Sequence, residues 1–204
     1  MIQEEVGKHF DQIASDYDHY KKNHGYYHRA LKRGLKSLIA PGARVLDWGC
    51  GTGNILAFLK PSVGVGFDIS TEMVKLANRK YKKANNLRFV ASQNQISGAF
   101  DYIVMIDVVE HLTNPPRTFK DLYLFSSNKT KIVVSFVGPL WESVIWFLGT
   151  LRPKTPEGPY KRHTKKEVIK FCRDAGFKVL KDSGFRIFPW LPISPITVLL
   201  LQKR

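Results

Sequence analysis

The sequence is short of acidic residues, of cysteine and of long apolar runs. It has 17 Asp and Glu against 32 Lys and Arg, which gives a net charge of +15. Two cysteines, Cys50 and Cys172, are too few for a disulfide framework and favour a reducing compartment. The longest apolar run, at 139–151, contains Glu142 and is shorter than the about 20 residues that span a bilayer. We therefore expect neither a disulfide-stabilised scaffold nor a membrane-spanning protein.

The beginning of the sequence also lacks the apolar stretch that follows a basic start in secretory signals, so we expect a cytoplasmic location. The excess of basic over acidic residues favours contact with an anionic partner, such as an anionic membrane surface, nucleic acid or an acidic substrate. A generally basic, solvated surface is the alternative. With 204 residues and 44% hydrophobic residues, the chain is expected to form one domain, 1–204, with its own core.

Short apolar runs alternate with helix-like stretches along most of the chain. Residues 1–40 are predicted to form N-terminal cap helices, which end at Pro41-Gly42. Strands are predicted at 44–48, 63–68, 87–91, 100–106 and 131–137. Crossover helices are predicted at 53–60, 71–83 and 115–127. This alternation is typical of an α/β fold with a doubly wound, mostly parallel sheet that is covered on both faces.

The C-terminal part follows a different pattern. A helix is predicted at 164–175, capped by Thr164 and ended by Gly176. Two further strands, within 177–188 and 196–204, leave no room for a helix between them. Strands joined without a crossover pair antiparallel, so the sheet is expected to end in an antiparallel hairpin.

The stretch "VLDWGCGTGN", residues 45–54, places three glycines behind an aspartate. Gly49, Gly51 and Gly53 give the spacing G-x-G-x-G, which differs from the G-x-G-x-x-G of dinucleotide-binding turns. The Asp47 carboxylate would repel a diphosphate but would accept hydrogen bonds from an ammonium group. The turn therefore predicts a cofactor with a cationic amino-acid end and no phosphate, although Asp47 in a plain strand-end turn is the alternative.

A second carboxylate, Asp68, follows the second predicted strand. An acid at this point of a doubly wound sheet is placed to bind the two hydroxyls of a ribose. Ile69 and Met73 could then lie on either side of an adenine ring. The alternative for Asp68 is a helix cap, a role that Ser70 is also placed to fill.

Three stretches, "VLDWGCGTGN", "GVGFDISTEMVKLA" and "FDYIVMIDVVEHL", resemble successive motifs of class I S-adenosylmethionine-dependent methyltransferases. The stretch "FDQIASDYDHY" is similar to the N-terminal helix that covers the cofactor in that family. The resemblance implies S-adenosyl-L-methionine as the cofactor and a Rossmann-like, seven-stranded sheet of order 3-2-1-4-5-7-6. It also implies that Cys50, within the glycine turn, and Asp107, after the fourth strand, belong to the cofactor site.

One position departs from the family pattern. Many relatives carry an acid after the third strand, which receives the adenine amino group. Here Gln93 and Asn94 stand in that stretch. An amide oxygen accepts the same hydrogen bond without charge assistance, so we expect a weaker contact with adenine.

The acceptor chemistry is expected beyond the fourth strand, where Asp107, Glu110 and His111 lie. His111 is a candidate general base for a hydroxyl acceptor, and the alternative is a histidine that caps the next helix. The spacing Asp107-x-x-Glu110-His111 is also similar to E-x-x-E-H in ubiquinone-type O-methyltransferases, where the resemblance would imply a divalent metal. Because an EH pair is common in methyltransferases that use no metal, no metal site is predicted.

The segment 139–163 combines tryptophans, aliphatic residues and flanking basic residues, and is predicted to be a lid or an insertion. This composition suits a membrane interface or a long apolar acceptor, and a lid helix packed on the domain is the alternative. Basic residues among aromatic ones could instead bind RNA. Against RNA, the fourth strand is followed by no "NPPY" or "DPPY" motif of base-methylating enzymes. The "NPPR" at 114–117 lies seven residues beyond Asp107.

The sequence therefore predicts an S-adenosylmethionine-dependent methyltransferase that acts on a small or lipophilic acceptor, by methylation of an oxygen. An RNA or protein methyltransferase that uses the basic surface is one alternative. A non-catalytic protein that binds S-adenosylmethionine is another, and an intact donor site with an occluded acceptor pocket would favour it.

Overall fold

The structure of the chain, a computed structural model, describes residues 2–23, 25–138, 156, 158–185, 194 and 196–204. Most of the predicted lid or insertion at 139–163 lies outside the described residues. Within the described part of the chain, no helix combines the length and the apolar character needed to cross a bilayer.

The described strands form one seven-stranded sheet of order β3-β2-β1-β4-β5-β7-β6. Strands β1 to β5 are parallel to one another, whereas β7 runs antiparallel to both of its neighbours, β5 and β6. The strands are β1 (Arg44–Trp48), β2 (Val63–Phe67), β3 (Leu87–Val90), β4 (Tyr102–Ile106), β5 (Lys131–Val137), β6 (Phe177–Phe185) and β7 (Ile196–Lys203). The predicted fold class, strand order and C-terminal antiparallel hairpin are confirmed.

The described helices are α1 (Gln3–Ile13), α2 (Tyr17–Asn23), α3 (Gly25–Leu38), α4 (Asn54–Leu59), α5 (Thr71–Lys80), α6 (Pro115–Leu124) and α7 (Lys165–Asp174). Their first turns are capped by side chains at the residues that the sequence indicates: Ser70 for α5, Asn114 for α6 and Thr164 for α7. The helix predicted at 71–83 ends earlier, at Lys80, and the one predicted at 115–127 ends at Leu124.

Both faces of the sheet are buried, because its central strands are apolar at successive positions. All five residues of β4 are buried, and Val45 and Leu46 of β1 pack into different clusters. Helices α6 and α7 cover the Leu46 side, while α3, α4 and α5 cover the Val45 side. The side chains that follow β1, β2 and β4 therefore meet at the carboxyl edge of the sheet, where ligands bind in doubly wound folds.

Candidate functional site

The glycine turn is held in a conformation that excludes other residues. Gly49, Gly51 and Gly53 have φ angles of +79°, +51° and +78°, in the left-handed region. A Cβ atom at Gly49 would lie 2.4 Å from the Val108 side chain, and one at Gly53 would lie 2.6 Å from Phe89. At Gly51 the nearest atom is a Tyr17 ring carbon at 3.3 Å. All three positions therefore need glycine, two of them for space as well as for φ.

Asp47 lies at the end of β1, just before this turn, and is buried at 2% exposure. Its Oδ2 atom has no hydrogen-bond partner among the described residues. Burial, and to a smaller extent repulsion from Asp68, raises the pKa of Asp47 to about 7. A buried carboxyl oxygen without a partner is costly unless a ligand supplies one. The side chain therefore fits a site for the ammonium end of a cofactor.

Asp68, directly after β2, joins the glycine turn to the next helix. One carboxyl oxygen accepts a hydrogen bond from the Gly51 N–H (2.7 Å) and the other accepts one from the Ser70 N–H (2.9 Å). Ser70 itself caps α5 by accepting from the Met73 N–H, so the cap alternative for Asp68 is wrong. A carboxylate has about four acceptor positions, so Asp68 keeps capacity for a ribose hydroxyl.

A cavity of about 480 Å³ lies between α1 and the ends of β2 and β3. Its volume is within the range of small-molecule sites, about 300–1,000 Å³. The residues that line it are Gln3, Glu4, Gly7, Lys8, Asp11, Phe67, Ile69, Ala91, Ser92 and Gln93. Two residues that the sequence assigned to adenine, Ile69 and Gln93, are thus at this cavity.

The other residues assigned to the cofactor are not among those that line this cavity. Met73 is buried in the core, at 1% exposure, and Asn94 is exposed. Cys50 is buried in the turn, where its Sγ would lie 2.8 Å from a Cβ atom placed at Gly66. Burial raises the pKa of Cys50 well above its ordinary value, so the thiol is a packing group here.

Two carboxylates of the N-terminal helices fasten these helices over the site, and the sequence patterns did not single them out. Asp11 of α1 accepts hydrogen bonds from Ser70 Oγ (2.6 Å) and the Glu72 N–H (3.0 Å). Asp18 of α2 accepts from Thr52 Oγ1 (2.6 Å) and Asn54 Nδ2 (2.7 Å). Asp18 also pairs with a lysine of α5, Lys80, at 2.5 Å. These contacts bind the cap helices to α5 and to the glycine turn.

Asp107, after β4, has the left-handed φ of +55°, which is uncommon for a residue with a side chain. Its Oδ1 atom accepts hydrogen bonds from the Tyr27 hydroxyl (2.7 Å) and from Ser135 Oγ (3.0 Å). Burial, followed by the negative charge of Asp107, raises the pKa of Tyr27 well above its ordinary value. Tyr27 therefore remains a hydrogen-bond donor that fixes Asp107 against the N-terminal helices.

Glu110 and His111 lie in a short 3₁₀ turn, Val109–His111. Glu110 Oε1 accepts from the Val137 N–H (3.3 Å), and its buried Oε2 has no partner among the described residues. Burial is the main cause that raises the pKa of Glu110, and the negative charge of Asp107 raises it further. His111 Nδ1 lies 3.1 Å from the Pro159 carbonyl oxygen. A carbonyl only accepts, so Nδ1 carries the hydrogen, and the neutral ring keeps a lone pair on Nε2.

Burial lowers the pKa of His111, which favours the neutral ring. The alternative role of His111 as a helix cap is wrong, because Asn114 caps α6 by accepting from the Arg117 N–H. Within the described part of the chain, no group of three or more His, Cys, Asp or Glu side chains is arranged to hold a metal ion.

Lys21 of α2 is a further charged residue of this region that the sequence patterns did not reveal. Its ammonium group lies 5.0 Å from the centroid of the Tyr17 ring. Burial lowers the pKa of Lys21, but Tyr17 and Asp107 outweigh this effect and raise it above its ordinary value. In turn, its charge lowers the pKa of Asp47 and of Glu110. Lys21 therefore adds a positive charge to a space bordered by acids.

This arrangement defines a class of protein. A doubly wound sheet carries a glycine turn without dinucleotide spacing and, at the end of β1, a carboxyl with one oxygen that has no partner among the described residues. A second acid follows β2, and a small-molecule cavity begins beside it. These are the features expected of a class I S-adenosylmethionine-dependent methyltransferase, and the residues fit that cofactor at both of its ends.

Comparison with known protein families agrees with this class. Residues 17–182 match the family described as "Methyltransferase domain", and this match covers most of the chain. The chain therefore belongs to the methyltransferase domain family. The predicted enzyme class and the predicted cofactor, S-adenosylmethionine, are confirmed at the level of this family.

Individual relatives are more distant. The malonyl-[acyl-carrier protein] O-methyltransferase of Legionella pneumophila is 27% identical over 146 residues, which cover 68% of this chain and 51% of that protein. The chain spans about a third to a half of the length of the curated relatives it matches.

Solved structures support the fold. A structure from Thermotoga maritima, described as a methyltransferase and possible histamine N-methyltransferase, has a TM-score of 0.71 at 17% identity, covering 98% of this chain and 100% of that one. The magnesium protoporphyrin IX methyltransferase of Synechocystis, with bound S-adenosylhomocysteine, has a TM-score of 0.62 at 22% identity, covering 86% and 84%.

Proposed function

We propose that this chain transfers a methyl group from S-adenosylmethionine to an oxygen atom of a small or lipophilic acceptor, with His111 as the general base. The observation that carries the proposal is that His111 is placed to be a neutral imidazole with a free ring nitrogen. Its Nδ1–H donates to the Pro159 carbonyl, which leaves Nε2 as a proton acceptor, and burial lowers its pKa. A neutral imidazole is the form that removes a proton from a hydroxyl group.

The carboxyl edge of the sheet supplies the donor site of the proposed reaction. Asp47 would hold the ammonium group of the cofactor, Asp68 would hold the ribose hydroxyls, and Ile69 and Gln93 would border the adenine ring. When bound, the cofactor supplies a methyl group on an electron-poor sulfonium. The protein then has to align acceptor and donor, since alignment is the main source of catalysis in such displacements.

His111 is itself held in position from two sides. The Phe10 ring of α1 lies edge-on to the imidazole, with ring centroids 5.2 Å apart. The Pro159 carbonyl lies on another side and fixes the tautomer. Both contacts come from outside the 3₁₀ turn, so the N-terminal helix and the segment at Pro159 together orient the proposed base.

The proposed oxygen acceptor is supported by the O-methyltransferase among the relatives. The proposed lipophilic character is supported by the apolar stretch 139–151 of the sequence. This stretch follows β5, whose Val137 N–H bonds to Glu110, and it precedes Pro159, which bonds to His111. The residues on both sides of the stretch thus contact the proposed acceptor site.

The test is methyl transfer by purified protein from labelled donor to quinol-like lipids, small phenols and RNA. We expect a lipophilic or phenolic hydroxyl compound to be methylated. His111→Ala should lower turnover by about a hundredfold while donor affinity changes little. His19→Ala, a matched change of an exposed histidine, should leave turnover unchanged.

Two results would overturn the proposal. Methylation of RNA but of no lipid or phenol would favour the alternative of an RNA methyltransferase. Equal turnover for the His111 and His19 variants would remove His111 from the mechanism.

A further inference from the structure

The region between α2 and β2 has an unusual distribution of charge. From residue 19 to residue 67 the chain has eight Lys and Arg residues and one acid, Asp47. That acid is buried, so it does not neutralise the surface. Helix α3 alone contains four basic residues and no acid.

Three of the basic residues of α3, Arg29, Arg33 and Lys36, are exposed at spacings of four and three residues. This spacing places them along one side of the helix, opposite Leu31 and Leu35, which are buried in the core. We call these three residues the basic α3 face. Like charges at such spacings repel each other. In the described part of the chain, none of the three forms a salt bridge.

Two aromatic rings on or beside α3 already have cations over them. The ammonium groups of Lys32 and Lys36 lie 5.0 Å and 5.4 Å from the centroid of the same ring, Phe58. The guanidinium of Arg29 lies 4.5 Å from the centroid of Tyr26. Proteins that bind single-stranded nucleic acid offer aromatic faces on which bases stack. Rings covered by cations favour a partner that is recognised by its negative charge alone.

Helix α3 also reaches the proposed acceptor site, with the side opposite to the basic α3 face. Tyr27, in the first turn of α3, donates its hydroxyl to Asp107 at 2.7 Å. A flat anionic surface that contacts the basic α3 face would therefore be separated from Asp107 by about the width of this helix, roughly 10 Å. A bilayer that contains anionic lipids has both the charge and the extent to contact the whole face.

We propose that the basic α3 face docks this protein on an anionic lipid bilayer. The benefit of such docking for catalysis rests on the proposed lipophilic acceptor, but the docking itself does not. Each basic residue near an anionic bilayer increases partitioning about fivefold (about 1 kcal/mol). Loss of all three should therefore weaken partitioning by roughly a hundredfold.

The test compares two triple variants of the full chain. Arg29→Gln, Arg33→Gln and Lys36→Gln together remove the face, and glutamine keeps the helix propensity. The control combines Lys166→Gln, Lys170→Gln and Arg173→Gln, which are also exposed, have the same spacing of four and three residues and lie on α7, on the other side of the sheet. Both variants lose three positive charges. Circular dichroism and calorimetry with S-adenosylhomocysteine check that each is folded and binds cofactor.

Binding is measured by co-sedimentation with phosphatidylcholine vesicles containing increasing phosphatidylglycerol, and with RNA oligonucleotides. We expect the wild type to bind anionic vesicles, and binding to fall with salt because the attraction is screened over about 10 Å at 0.1 M. The α3 variant should lose about a hundredfold and the control at most about fivefold. This assay needs no turnover, so a failed methylation screen does not decide it.

Three outcomes would overturn the proposal. The wild type could fail to distinguish phosphatidylglycerol vesicles from neutral ones. The two triple variants could lose vesicle binding equally, which would assign the binding to overall charge. RNA could bind more tightly than anionic vesicles and depend on the same three residues, which would make the face a nucleic-acid surface.

Discussion

Replacing Asp47 with asparagine should stabilise the ligand-free protein above neutral pH while weakening its binding of S-adenosylmethionine. The carboxyl is buried, its Oδ2 has no partner among the described residues, and Asp68 lies close enough to repel it. Asparagine has nearly the same shape but no charge. The substitution therefore removes the cost of a buried charge together with the proposed contact to the cofactor ammonium group.

The magnitude follows from the pKa. Asp47 has a pKa of about 7 in the folded protein, against an ordinary value of 3.8. The folded state therefore holds its proton between these two values, so the contribution of Asp47 to stability is present at low pH and is lost as pH rises towards 7. A pKa difference of about 3 corresponds to about 4 kcal/mol, which is the upper limit of the gain at pH 8. Because a buried amide also lacks partners, we expect a gain of about 1–3 kcal/mol.

The assay is urea unfolding of the wild type and the variant at pH 5 and pH 8. At pH 5 the folded protein keeps the Asp47 proton that most unfolded chains have already lost, so the gain should be about 2–3 kcal/mol smaller than at pH 8. Asp174→Asn serves as a control, because it removes an exposed acid with the same change of charge. Calorimetry at pH 8 should show that Asp47→Asn weakens cofactor binding by about 1.5–3 kcal/mol. A variant that is no more stable than the wild type at pH 8, or one whose gain is the same at both pH values, would refute the reasoning.

Further predictions concern three other residues of the site. Asp68→Ala should weaken binding of S-adenosylmethionine and S-adenosylhomocysteine by about 1.5–3 kcal/mol in calorimetry; normal affinity, or binding of NAD, would contradict the assignment. Because the neutral His111 ring is the proposed base and burial lowers its pKa, turnover should fall only as pH drops below 6.5. A rate profile with its acidic midpoint above 6.5 would oppose that role. Asp18→Asn should speed cofactor release about tenfold in stopped-flow measurements, since two hydrogen bonds to the carboxylate and an ion pair of α2 are weakened. Asp16→Asn, an exposed acid beside it, is the control and should leave the release rate unchanged.

The fold was largely predictable because its signals are local. Apolar runs marked all seven strands, and capping residues marked the starts of α5, α6 and α7. The strand predicted at 63–68 ends one residue earlier, at Phe67, because the Asp68 side chain turns the chain by accepting from the Ser70 N–H. The order of the strands came from family resemblance, since local patterns carry no information on which strands are neighbours.

The part of the site built on strand ends was also predictable, and the part supplied by the N-terminal helices was not. Asp47 and Asp68 follow strands, so the topology alone brings them together. The contact of Tyr27 with Asp107 joins residues 80 positions apart, and that of Asp18 with Thr52 joins residues 34 positions apart. Neither pair belongs to a periodic pattern. Such contacts depend on the angle at which the cap helices cross the edge of the sheet. The spacing of residues in the sequence gives no information on this angle.

The charges at this edge also explain why the glycine turn suits a cationic cofactor. Asp47 and Glu110 each have a buried carboxyl oxygen without a partner among the described residues, and Asp107 is close enough to raise the pKa of Glu110. Lys21 lowers the pKa of Asp47 and of Glu110, yet both remain raised. The site therefore retains a deficit of positive charge. An ammonium or sulfonium group would reduce this deficit, whereas a diphosphate would increase it. The glycines give the turn its shape, and the buried acids beside it favour a ligand that carries positive charge.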